Sequence, residues 1–114
     1  MFIRGIGGFG YKGTLKSVVP NAMPKRAADF TVEETTTPNQ AIFYRLNGDG
    51  NPLHVDPDMA EMGGFKQPIL HGLCSFGISA RAIQQHFFKD NPDVMKRIAC
   101  RFTSHVFPGE TLVV

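Results

Sequence analysis

Apolar positions along the chain fall into short blocks separated by Gly, Pro and Asn, and their spacing changes from block to block. Phe30, Val32 and the Thr-rich run to Thr36 have the β-branched texture of a strand. Thr37-Pro38 predicts a helix start, a hydroxyl able to cap followed by proline at the first helical position. Gln40 to Leu46 continues that helix, with Ile42, Phe43 and Leu46 on neighbouring faces, and Asn47-Gly48 stops it. Asp56-Pro57 starts a second short helix by the same capping logic, through Met59 and Met62 to Gly63-Gly64. Pro68 then opens the longest element. Leu73, Phe76, Ala80, Ile83 and Phe87 recur at spacings of three and four, which predicts an amphipathic helix from Gly72 to Phe88. At 1.5 Å per residue it runs roughly 25 Å. Asn91-Pro92 ends it, Ile98–Val106 is strand-like, Pro108-Gly109 is a turn, and Thr111–Val114 opens a further strand.

One long, buried helix needs a sheet of several strands to cover it. Two strands and the start of a third are visible. The expectation is that strands come from another chain or, the favoured reading, that the sequence is the front part of a larger domain.

Composition narrows this picture. The length of 114 residues suits one domain, and 42% apolar content with ten Phe gives material for a core. Charged residues are 19% of the chain, which argues against disorder throughout. Net charge is +2, too small to imply nucleic acid as a partner. Residues 1–28 hold five bases and no acid, together with five of the twelve glycines, and read as a basic, Gly-rich linker ahead of a domain at 29–114. Gly5-Ile-Gly-Gly-Phe-Gly10 has the spacing of a dinucleotide loop, but neither a strand before it nor a helical pattern after it. It is read as linker. Cys74 and Cys100 stand alone, which excludes a disulfide-stapled miniprotein and a four-thiolate zinc site and fits a reducing compartment. The charge-free stretch Gln67–Ala80 is 14 residues long, short of the about 20 a membrane span requires.

Candidate chemistry sits at residues 44–54, Tyr-Arg-Leu-Asn-Gly-Asp-Gly-Asn-Pro-Leu-His. The turn-forming residues predict a rigid loop, and Asp49, Asn51 and His54 are placed in it. A carboxylate and an imidazole around a Pro-bent turn can face one point, where a water loses a proton to one while the other delivers a proton elsewhere. Asn51 offers a donor and an acceptor to orient that water. The alternative keeps Asp49 as a turn cap and His54 as a core filler. A metal reading through Asp49, His54, Asp56 and Asp58 is weaker, because Asp56 and Asp58 flank a helix start and no second His sits at ligand spacing. Gly72, near the first turn of the long helix, leaves room for a carbonyl oxygen to approach its N–H, the geometry of an oxyanion hole. A glycine tolerated there for packing is the plain alternative.

The run Tyr44 to His54, followed by Pro68-Ile-Leu-His-Gly72-Leu-Cys-Ser-Phe-Gly77, closely resembles the (R)-specific enoyl-CoA hydratase family, the type-2 or MaoC-like hydratases, as found in eukaryotic peroxisomal multifunctional enzymes. Pro108-Gly-Glu-Thr-Leu112 fits the same pattern. The resemblance implies an α+β hot-dog fold, a long central helix wrapped by an antiparallel sheet, here expected to lack its C-terminal strands and so to be weakly active by itself. It implies reversible hydration of trans-2-enoyl-CoA to (3R)-3-hydroxyacyl-CoA in fatty-acid β-oxidation. By motif position Asp49 and His54 match the catalytic pair and Asn51 the water-positioning residue. Gly72 matches the backbone donor to the thioester oxygen, and Phe102 a residue lining the acyl site, with Gly50, Pro52 and Leu53 on the substrate side of the loop. No metal or other cofactor is expected. The implied partners are an acyl-CoA and either a second hot-dog half or a second copy of the chain, with no nucleic acid or membrane, in a peroxisomal setting. A non-catalytic acyl-CoA-binding or oligomerisation module and a hot-dog thioesterase are the competing classes. Lys96, Arg97 and Arg101 form a basic cluster read mainly as solvated surface, and His71, His86 and His105 have no assigned partner.

Overall fold

The computed structural model describes residues 10, 22, 24–89 and 91–114. The linker reading of 1–28 and its glycine spacing fall almost wholly outside the described residues.

The strand texture after Phe30 yields β1 (Glu33–Thr35), which pairs antiparallel with β2 (Thr111–Val113). Glu34 stands opposite Leu112 and Thr35 opposite Thr111, whose hydroxyls meet at 2.9 Å. Mutual backbone bonds of 2.8 Å between Val32 and Val114 extend the pair. Thr36, only 3% exposed, locks the turn before β2. Its hydroxyl donates to the Glu110 carbonyl at 2.8 Å and accepts from the Gly109 N–H at 2.9 Å. Gly109 has φ +95°, a backbone that residues with a Cβ rarely adopt.

Helix α1 (Gln40–Tyr44) begins later than the Thr37-Pro38 signal predicts. Asn39 is its N-cap and contributes no side-chain bond, while the Gln40 side chain reaches back to the Thr37 hydroxyl at 3.3 Å. The helix tightens into a 3-10 turn at Arg45–Asn47 and stops at Gly48, φ +99°, as the Asn-Gly signal requires. Helix α2 (Pro57–Met62) follows its sequence signals closely. The Asp56 carboxylate accepts from Asp58 N–H at 2.9 Å and Met59 N–H at 3.5 Å, with proline in the first turn.

Helix α3 (Gly72–Phe87) has the expected length, and the expected stripe is half-buried at Phe76, Ala80 and Ile83 but exposed at its two ends. Its buried residues are Cys74 and Ala82, with Ile78 packed between them in sequence, whereas Leu73 and Phe87 of the expected stripe are 63% and 61% exposed. The core is Ala41 of α1, Leu70 and Cys74, joined by Tyr44, Ile78 and Val106. Burial pushes the Cys74 thiol pKa up, so it packs as a neutral small side chain. Arg81 of α3 meets Glu34 of β1 at 2.7 Å, an exposed pair worth less than about 1 kcal/mol.

The expected strand Ile98–Val106 is irregular chain with a bend at Ser104 and no ladder partner among the described residues. An alternating pattern makes a strand only when another backbone lies alongside it to take its hydrogen bonds. Its last residue is anchored by the Leu70 N–H, which donates to the Val106 carbonyl at 2.7 Å. The architecture is thus α+β, with three α-helices, three short 3-10 turns and a two-stranded antiparallel sheet among the described residues.

Candidate active site

Two short turns shape the loop after α1. Arg45 Nη2 donates to the Gly50 carbonyl at 3.1 Å, and Asn47 Nδ2 donates to the Tyr44 carbonyl at 3.1 Å. Asp49 Oδ1 then accepts from Asn51 N–H at 3.2 Å, and Asn51 Oδ1 accepts from Leu53 N–H at 3.1 Å, capping a 3-10 turn at Pro52–His54. Asn47, Asp49 and Asn51 each satisfy backbone two or three residues away, the local bonding that Asn and Asp favour in turns. The turn-cap alternative for Asp49 is therefore present in the structure alongside any chemical role. Asp49 is exposed, while His54 is 9% exposed.

His54 Nδ1 lies 2.7 Å from the Ile69 carbonyl oxygen. A carbonyl only accepts, so Nδ1 carries the hydrogen and Nε2 of the neutral ring is left with its lone pair. The ring stacks on His71 at 3.8 Å between centroids and 27° between planes, and His71 in turn touches the Tyr44 ring at 4.8 Å. One ligand atom each from Asp49, His54 and His71 lie within 4.8 Å of one another. His71 is 2% exposed, and neither of its ring nitrogens has a hydrogen-bond partner. An orphaned buried polar group costs about 1–3 kcal/mol. Burial first, then the neighbouring His54, holds the His71 pKa below the usual histidine value, against an opposing pull from Asp49.

His54 faces a cleft of about 470 Å³, whose walls include Leu70, Gly72, Ser75, Phe102 and His105. That is within the volume range of small-molecule sites, about 300–1,000 Å³. Gly72 opens α3. The first bonded amide of the helix is that of Cys74, which donates to the His71 carbonyl at 3.0 Å. The amides before it are the unpaired ones at the positive end of the helix dipole. A Cβ on Gly72 would lie 3.3 Å from the Phe102 ring, so a glycine lets the two pack together.

The structure thus brings Asp49 and His54 together, and sets Gly72 and Phe102 on the cleft that His54 faces. Gly50, Pro52 and Leu53 shape the loop; Leu53 packs toward Gly63, 3.1 Å from where a Cβ there would stand. Asn51 uses its carbonyl as a cap, leaving its amide hydrogens for another acceptor. Lys96, Arg97 and Arg101 are exposed. His86 stacks on Phe30 at 3.3 Å, and His105 packs edge-on to Phe107 and Phe65. His71 is the site residue that spacing did not reveal, since only the fold brings it under His54. It also supplies the second histidine that the metal reading lacked. Zinc bonds of about 2.0–2.2 Å would draw ligand atoms to about 3.3 Å apart.

The loop that carries Asp49 and His54 thus closes onto the start of the long helix α3, beside a cleft lined by Leu70, Gly72 and Phe102. The family model described as MaoC like domain matches residues 20–114, and the chain belongs to that family. It is 51% identical, over 97% of its length, to probable enoyl-CoA hydratase 2 of Dictyostelium discoideum. It is 50% identical, over 98% of its length, to peroxisomal multifunctional enzyme type 2 of Mus musculus. It spans 38% of the first of these relatives and 15% of the second. Among solved structures it superposes on the full-length peroxisomal multifunctional enzyme type 2 from Drosophila melanogaster with a TM-score of 0.80 and 50% identity, covering 87% of this chain and 19% of that one.

Proposed function

We propose that the chain carries the acid–base site of an (R)-specific enoyl-CoA hydratase, which adds water to a trans-2-enoyl-CoA and forms a (3R)-3-hydroxyacyl-CoA in β-oxidation. One observation carries this reading. His54, with the Asp49 carboxylate within 4.8 Å of the same cluster, shares a cleft with the unpaired helix-start amide of Gly72.

The chemistry asks for those groups. Water oxygen bonds to C3 as the C2–C3 π pair shifts toward the carbonyl, and negative charge gathers on the thioester oxygen. The Gly72 N–H is the donor suited to that charge. One water proton is taken up as the bond to C3 forms, and one proton is delivered to C2, so a single H and a single OH are added. Asp49 and the Nε2 lone pair of His54 divide these two transfers. Phe102 gives the acyl chain an apolar wall, and no cofactor is required for the balance.

In the same reading α3 is the central helix of a hot-dog unit whose antiparallel strands include β1 and β2. The unit pairs with a second hot-dog half or a second copy of the chain. Exposed Ile42, Phe43, Leu46 and Leu73 supply apolar surface for such pairing. The names of the relatives support a peroxisomal setting.

The test is loss of enoyl-thioester absorbance with trans-2-enoyl-CoA, with chiral analysis of the product. A (3R) product with the thioester intact is the expected result. Release of free thiol would make the protein a thioesterase, and acyl-CoA binding without either reaction would make it a binding module.

A further inference from the structure

We propose that the Ser75 hydroxyl is a second donor to the thioester oxygen, beside the N–H of Gly72. This rests on the hydratase reading above and adds one catalytic residue to its site.

Placement comes first. Of the described residues of α3, Gly72 and Ser75 line the cleft that His54 faces. Residues three apart on a helix stand on one face, about 5–6 Å between their Cβ positions. The Cα–Cβ bonds of a helix tilt toward its N-terminus, which carries the Ser75 side chain back over the turn that opens at Gly72. Ser75 is half-buried there.

The hydroxyl is also free of its usual partner. A serine inside a helix commonly bonds to the carbonyl four residues back. For Ser75 that carbonyl belongs to His71, and it already accepts from the Cys74 N–H at 3.0 Å and the Ser75 N–H at 3.3 Å. A carbonyl oxygen has two lone pairs, so both are taken and the hydroxyl is left for a group in the cleft.

The reaction asks for such a donor. Charge gathers on a thioester oxygen with more than one lone pair, and a single N–H meets one of them. The walls beside Gly72 include the apolar side chains of Leu70 and Phe102, where an unmatched charge is costly. Thr103, Ser104 and His105 are polar too, but they are exposed and belong to irregular chain. Among the described lining residues Ser75 alone shares a rigid helix with Gly72, so its hydroxyl is in place before charge develops.

Ser75→Ala removes the hydroxyl and keeps a strong helix former, so the fold is retained. The expected result is a loss in kcat of about tenfold or more, with KM for trans-2-enoyl-CoA within about threefold. Ser75→Thr keeps a hydroxyl and is expected to recover most of that loss. Native turnover in Ser75→Ala would overturn the proposal, and so would equal losses in both variants, the sign of a packing role. The carbonyl stretch of trans-2-enoyl-CoA bound to Asp49→Asn gives a second readout. A donor at Ser75 lowers that frequency, and adding Ser75→Ala should return part of the shift; an unmoved frequency overturns the donor. Absence of both hydration and a carbonyl shift in the unsubstituted chain would overturn the hydratase reading and this one together. Hydration equal in the native chain and Ser75→Ala would overturn this one alone.

Discussion

The two walls of the cleft are built in opposite ways. One wall, with His54, Leu70 and Gly72, is backed by the loop from Arg45 to Asp56, in which every polar side chain is bonded to backbone: Arg45 to Gly50, Asn47 to Tyr44, Asp49 to Asn51, Asn51 to Leu53, His54 to Ile69, Asp56 to α2. The facing wall, Phe102 to Val106, is irregular chain outside any ladder, exposed up to its last residue, and anchored there by one bond from Leu70. Proton transfer demands positions held to fractions of an ångström, whereas an apolar chain needs only a surface that excludes water. The proposed function divides along the same line, with proton transfer at the first wall and the acyl chain against the second.

Removing chemical groups from the ordered wall breaks the comparison most sharply. Asp49→Asn and His54→Ala should each lower turnover by about two orders of magnitude or more. Asp49→Asn should leave thermal stability near native, because Asp49 is exposed and its turn bond survives in Asn. Hydration assays beside melting curves check both, and native turnover in either variant would remove the pair from the reaction.

Stability against pH comes next. His71 has its folded pKa lowered by burial, so the unfolded chain takes up a proton near pH 6.5 that the folded chain refuses. Its contribution is present above about pH 6.5 and is lost as pH falls toward the folded value, with a slope of at most about 1.4 kcal/mol per pH unit. Denaturant midpoints from pH 7.5 to 5 should fall for the native chain and fall less for His71→Phe.

Smaller still is the loss of a cap. Asp56→Ala removes both bonds at the start of α2 and should cost about 1 kcal/mol, a few degrees in Tm, without a change in kcat. The smallest effect belongs to the other wall. Phe102 is 56% exposed, so Phe102→Ala should leave Tm within about a degree and raise KM for long acyl chains by less than about tenfold. An equal loss from both walls would erase the distinction.

Much of the ordered wall was legible because its signals are local. Asp56-Pro57 predicts α2 with its cap, Asn47-Gly48 predicts the left-handed stop, and Gly72 predicts the start of α3. The most deeply buried positions of α3 were not the expected ones, for a physical reason. Leu73, Phe76, Ala80, Ile83 and Phe87 form the more hydrophobic stripe, but the two buried positions, Cys74 and Ala82, carry small side chains that allow close approach. Hydrophobicity ranks positions by size as well as aversion to water, so a tightly packed face of small residues scores low. Ile98–Val106 shows the complementary failure, since alternation records which side chains face inward and says nothing about whether a neighbouring backbone is there. His71 escaped because its importance lies in a ring placed under His54 by the tertiary fold.

The clasp at Thr36 has a kinetic meaning. Its hydroxyl joins residues 73 and 74 positions further along, and the Thr35–Thr111 contact closes 76. Closing so long a loop is entropically costly before any contact rewards it. The turns from Arg45 to His54, by contrast, join residues at most five apart. On refolding, the proton-handling loop can take shape early, and the slow event is the meeting of two three-residue strands from distant parts of the chain.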